Sequence, residues 1–86
     1  MKISYHKKFV KQYSKQTSQI KEKFIERQDL FVSDHFHPLL GNHLLNGEWV
    51  GCRSINITGD VRAIFEEIDS EHIEFVAIGN HSELYS

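Results

Sequence analysis

Cysteine is almost absent from this chain: Cys52 is the only one in 86 residues. A lone thiol closes no internal disulfide, so packing must hold the fold, as in a reducing cytoplasm. Proline is equally scarce, with Pro38 alone. Neither proline nor glycine interrupts residues 6–33, which leaves that stretch free to be helical. No apolar run approaches the roughly 20 residues that span a bilayer. The opening MKISYHKKF also lacks the apolar region of a signal peptide. The expectation is a soluble, cytoplasmic protein without membrane contact. Internal repeats and low-complexity tracts are missing too, and the length has room for a single domain, residues 1–86.

Charge is present but unevenly spread. The net value of −2 argues against indiscriminate nucleic-acid binding. Residues 1–27 carry eight Lys or Arg against two Glu, net +6, whereas residues 28–86 carry two Arg against ten Asp or Glu, net −8. The basic part either sits on phosphates or forms solvated helix faces.

Periodicity supplies the elements. Residues 2–5 alternate as a short strand, with Ile3 and Tyr5 on one face. His6 or Ser4 leads into a helix in which Phe9 and Tyr13, four apart, share a side. Gln16-Thr17-Ser18 interrupts that pattern, and Thr17 or Ser18 caps a second helix carrying Ile20, Phe24, Leu30 and Phe31. Residues 33–46 read as a loop. From Gly47 to Ile57 the chain alternates like a strand, and Thr58-Gly59-Asp60 turns it into a second alternating run from Val61. Asp69-Ser70-Glu71 makes another turn, before a last strand over 72–78 with Ile73, Phe75 and Ala77 on one face. The fold class is therefore α+β, in the order β-α-α-β-β-β, with a two-helix hairpin packed on one face of a mostly antiparallel four-stranded sheet. With Ile55, Ile57, Val61, Ala63 and Phe65 turned to the core, Asn56 and Arg62 lie together on the open face. A flat face with a cation, amides and nearby imidazoles suits an extended polyanion.

His35, His37 and His43 fall within nine positions and raise the question of a metal. No Cys pair or HExxH pattern accompanies them, so the expectation is no metal site. Trp49 is read as a packing residue, and Arg53, in phase with Ile55, as a structural pairing away from the open face.

Three motifs in order carry a resemblance: Gly47-Glu48-Trp49-Val50-Gly51-Cys52-Arg53, then Gly59-Asp60-Val61-Arg62-Ala63-Ile64-Phe65, then Gly79-Asn80-His81-Ser82-Glu83-Leu84-Tyr85. The chain resembles the RelE superfamily of bacterial toxins, in its YafQ-like branch, whose members are ribosome-dependent mRNA endonucleases neutralised by a cognate antitoxin. The resemblance implies a RelE-like fold and a type II toxin that cleaves mRNA in the ribosomal A site without a cofactor. It also implies an antitoxin partner, with operator DNA contacted only through that antitoxin. His43, four residues before Gly47, matches a catalytic histidine, and His81 matches one proposed as a general acid. Asp60 matches the aspartate after the hairpin turn, and Tyr85 a C-terminal aromatic that contacts substrate. Arg62 matches an arginine with which RelE-like members stabilise the cleaved phosphate, where the YafQ-like branch is apolar. Asn56 stands where that branch has another histidine, and its amide cannot exchange protons.

These residue types fit metal-independent RNA cleavage. The 2′-hydroxyl attacks the adjacent phosphorus, which calls for a base, a cation at the phosphoryl oxygens and an acid for the departing 5′ oxygen. Each residue also has a structural alternative: Asp60 capping the turn, Arg62 pairing with Glu66 or Glu48, Tyr85 as an apolar lid. Two other functions fit the same order of elements. One is a ParE-like toxin that inhibits DNA gyrase, the other a catalytically weakened member that acts only as an antitoxin-binding partner.

Overall fold

The computed structural model describes residues 1–85. Strand β1 (Lys2–Tyr5) leads into helices α1 (Lys7–Ser14) and α2 (Ser18–Ser33). Both helices start on side-chain caps. His6 Nδ1 accepts from the Lys8 N–H at 3.0 Å, and Thr17 Oγ1 accepts from the Ile20 N–H at 3.2 Å, which satisfies amides that the first turn leaves free. A loop follows, with a 3₁₀ turn at Pro38–Leu40. Then come β2 (His43–Leu44), β3 (Cys52–Asn56), β4 (Val61–Asp69), β5 (His72–Asn80) and a short helix α3 (His81–Tyr85).

The sheet has five strands, in the order β1-β5-β4-β3-β2, and not the four expected. The additional strand is β2, two residues of the supposed loop that pair with β3 through His43–Ser54 and Leu44–Arg53. All pairings are antiparallel except β1 with β5. The expected strand from Gly47 to Ile57 is also shorter than its alternation suggests. Gly47 and Gly51 take φ of 67° and 89°, which glycine adopts without steric cost. Between them Gly47–Trp49 forms a 3₁₀ turn, so β3 begins only at Cys52.

The helices cover one sheet face through an aromatic core. Phe24 meets Phe75 edge-on at 5.1 Å between centroids, Phe31 meets Phe65 at 5.1 Å, and Phe9 touches Phe24 and Phe75. Ile55, Ile57, Ala63 and Ile73 complete this buried layer, as the strand parity requires. Beyond the end of β1, α1 shields the β5 edge, where the Ile78 N–H donates to Gln12 Oε1 at 3.0 Å. No helix among the described residues is long and apolar enough to cross a membrane.

One expectation fails at a bulge. Ile64 pairs with Ala77 but Phe65 pairs with Phe75, which leaves Val76 as an extra residue on β5. Ala77 therefore lies on the face opposite Phe75, with Ile64, and Ile78 takes its place in the aromatic core. A second irregularity separates Glu67 from Asp69.

Candidate functional site

The second sheet face carries its own small apolar cluster, Leu45, Ile64, Ala77 and Leu84, with Trp49, Cys52 and Val76 packed against it. It covers only part of the face, and the polar candidates lie around it.

Two rows of paired residues cross this face. Ala77, Ile64, Ser54 and His43 form one, and Gly79, Arg62 and Asn56 the next. Asn56 and Arg62 are thus direct cross-strand partners, as the parity argument required. Asn56 is also close to the chain before β2: a Cβ on Gly41, whose φ is +51°, would lie 2.5 Å from Asn56 Nδ2. Only glycine fits both that conformation and that approach. The exposed His43 follows two residues later, and its Nδ1 lies 2.9 Å from the Gly41 carbonyl oxygen. That bond ties the imidazole to Gly41, the residue that faces Asn56, and leaves Nε2 free of it.

Arg62 is half-buried and pairs with no carboxylate among the described residues, neither Glu66 nor Glu48. Its Nη1 instead donates to the carbonyls of Thr58, Gly59 and Val61 at 2.9, 3.1 and 3.3 Å. The guanidinium is therefore curled over the β3–β4 turn, held by neutral acceptors that leave its charge uncompensated. The turn itself is capped by Thr58, whose Oγ1 accepts from the N–H groups of Asp60 and Val61. Asp60 contributes its backbone to that turn, and its side chain is exposed.

His81 and Asp60 flank the end of one ladder, each one residue beyond the Val61–Asn80 pair. His81 opens α3 and its ring leans, tilted, against that of Tyr85 one turn later, with centroids 4.8 Å apart and planes inclined by 33°. A reciprocal box holds the start of α3: the Asn80 N–H donates to Glu83 Oε1 at 2.8 Å and the Glu83 N–H to Asn80 Oδ1 at 2.9 Å. Glu83 lies over Gly79, where an added Cβ would sit 2.9 Å from the Glu83 Cβ. At the other end of α3 the Trp49 indole N–H donates to the Leu84 carbonyl at 3.0 Å, and the Lys8 ammonium lies 5.6 Å from the Trp49 ring centroid. Trp49, Glu83, Gly79 and Lys8 were not among the candidates. The Asn80-x-x-Glu83 spacing is a helix-start signature that would have exposed α3.

The face thus brings Asn56, Arg62, Asp60 and His81 around the β3–β4 turn and the α3 start. His43 stands at the other margin, three strand spacings from β5, or about 14 Å. Cys52 lies on the same face, its thiol pushed up above the ordinary range by burial and, secondarily, by the Glu66 carboxylate.

The other two loop histidines do different work. His35 stacks on Phe31 at 4.6 Å, and His37 Nδ1 caps the 3₁₀ turn by accepting from the Leu39 N–H at 3.1 Å. No three His, Cys, Asp or Glu among the described residues gather closely enough to hold a metal ion. Arg53 donates to Asn42 Oδ1 at 2.8 Å and lies over the Phe36 ring, on the far side of its strand from Asn56.

Solved structures share this fold. A crystal structure of YafQ from E. coli strain BL21(DE3) superposes with a TM-score of 0.80 at 19% identity, over 98% of this chain and 97% of that one. YafQ in a crystal structure of the E. coli DinJ–YafQ complex gives 0.76 at 19% identity, with coverage of 98% and 97%. A YoeB/ParE toxin from Agrobacterium tumefaciens gives 0.77 at 20% identity, with coverage of 94% and 99%. No curated protein sequence matches the chain. The model of the family described as the bacterial toxin of type II toxin–antitoxin system, YafQ, matches residues 1–86. With the whole chain matched, the protein belongs to the YafQ family of type II toxins.

Proposed function

We propose that this toxin is a ribosome-dependent endoribonuclease that cuts mRNA in the A site by metal-independent attack of the 2′-hydroxyl. The observation that carries the reading is Arg62, an uncompensated guanidinium on an open sheet face, flanked by Asn56 and by the Asp60 and His81 pair. Phosphate is the group such a fork binds best, and its Nη2 and Nε are available beside the donating Nη1. His81 and His43 supply groups that exchange protons near neutral pH, and Asp60 a carboxylate on the His81 side of the face. Asn56 has donors and acceptors but no proton to exchange, so it serves substrate binding. Tyr85, in ring contact with His81, offers its exposed ring to a base. The open shape suits a strand presented by a larger assembly better than a small ligand, which would seek a concave pocket.

The partner of this reading is a cognate antitoxin, and operator DNA is reached only through it. An apolar cleft of about 260 Å³ between α1 and α2 is lined by Tyr5, Phe9, Val10, Tyr13, Phe24, Ile25 and Gln28. It lies within the basic first part of the chain, a surface suited to an acidic segment with apolar anchors.

The test is mapping of mRNA 5′ ends after brief induction without antitoxin, beside Arg62→Ala and His81→Ala. Codon-phased cuts that need translation and disappear in both variants are expected. Growth arrest with intact mRNA would replace the reading by gyrase inhibition, and no arrest by an antitoxin-binding role alone.

A further inference from the structure

We propose that Trp49 is a positioning residue, whose indole N–H fixes the C-terminal helix and thereby sets the place of His81 and Tyr85. Its functional consequence rests on the endonuclease reading above.

A helix of five residues has too few internal hydrogen bonds to persist alone, and its last carbonyls have no partner within it. In α3 both ends are tied from outside the helical ladder. Asn80 and Glu83 close the start, and Trp49, distant by 35 positions, takes the Leu84 carbonyl at the end. Leu84 is buried, so its side chain pins one side of α3 to Ile64 and Ala77. The indole bond then fixes the rotation of the helix about its axis. His81 and Tyr85, one turn apart and in ring contact, share the exposed side and move with that rotation. A small change in rotation would carry the imidazole away from Asp60 and Arg62, and reaction rates are sensitive to displacements of about 1 Å.

Trp49 is itself held from three directions. Gly47 and Gly51 shape its turn, the ring packs on the small cluster, and Lys8 of α1 approaches the ring. The contact ties α1 to α3 around the β5 edge. A packing residue alone would serve as well with phenylalanine; the hydrogen bond is what only the indole provides.

The experiment replaces Trp49 by 3-benzothienylalanine, which keeps the ring shape but has no N–H, and by Phe. Three readouts are taken: the carbon–proton shifts of the His81 ring, cleavage of a translated mRNA in a cell-free system, and circular dichroism. In the wild-type chain the His81 ring protons should carry a displacement due to the Tyr85 ring, and the indole proton should exchange slowly with solvent. The isosteric variant should keep its secondary structure, lose most of that displacement, and cleave about tenfold more slowly, the scale of one hydrogen bond. Unchanged His81 shifts in a folded variant would overturn the positioning role whatever happens to cleavage. Displaced shifts with full cleavage would overturn its link to catalysis. Where the variants fail to fold, the wild-type indole proton decides: rapid exchange would overturn the proposal. Absence of cleavage by the wild-type chain would sink the endonuclease reading, while the His81 shifts still test the indole bond.

Discussion

The two faces of the sheet are built from the same strands and do opposite work. On one, five phenylalanines from the helices and strands interlock with ring contacts of 5.1–5.8 Å. On the other, Leu45, Ile64, Ala77 and Leu84 make a patch small enough to leave Arg62, Asn56 and His81 outside it. Alternation along a strand makes this division cheap, because each strand residue belongs to one face only. Stability is concentrated on the helix side, and the open side retains just enough apolar contact to hold α3 and the Trp49 turn.

Substitutions on either face should reveal how unequally the two bear the fold. The largest effect belongs to Phe75, which is fully buried and stacks or abuts Tyr5, Phe9, Phe24 and Phe65. Phe75→Ala should cost about 3–5 kcal/mol in urea unfolding, a large share of the roughly 5–15 kcal/mol of such a domain. Leu84→Ala removes the main anchor of α3 from the thinner cluster and should cost about 2 kcal/mol, the low end for a buried leucine. Equal losses at the two positions would show that both faces bear stability alike. Asn80→Ala deletes one half of the box that starts α3, at about 1 kcal/mol. Amide exchange should then accelerate at Glu83 and remain slow in β4; acceleration in both would mean that α3 and the sheet open together.

The smallest effect is chemical. Burial and then Glu66 raise the Cys52 thiol, so its neutral form is favoured in the fold and its thiolate appears at higher pH than in the unfolded chain. Alkylation should be slow near neutrality and reach half its plateau rate above the pH at which the urea-unfolded chain does. Glu66→Gln should move that midpoint down only in part, since burial is the larger cause. A midpoint at or below that of the unfolded chain would show that the second face is fully wet at Cys52.

Much of this arrangement was legible. Phe9 and Tyr13, or Ile20, Phe24 and Phe31, mark helices because they recur at the helical period, and Thr17 marks a start by its cap. The pairing of Asn56 with Arg62 followed from strand parity across a short turn. Three features escaped the same reasoning. Strand β2 has two residues, too few to alternate, and exists because the loop delivers them to the edge of β3. Helix α3 is too short to show a period, although its cap signature was readable. The bulge at Val76 lies inside the run Val76-Ala77-Ile78, where no polar residue reveals which side of the sheet each neighbour takes. For the site, residue types and neighbourhood could be read, whereas the Trp49 bond to Leu84 could not: it joins segments 35 positions apart.

The extra residue at Val76 also sets a rule for how such a chain can vary. Every position after it has changed sides relative to the strand's first half, including Gly79, opposite Arg62, and the start of α3. Loss of that one extra residue would restore simple alternation and leave Gly79 opposite Arg62, whereas loss of a second would deliver His81 beneath the sheet, toward the helices. A single deletion is therefore tolerable in this segment, whereas a second would move the candidate site to the wrong face of the sheet.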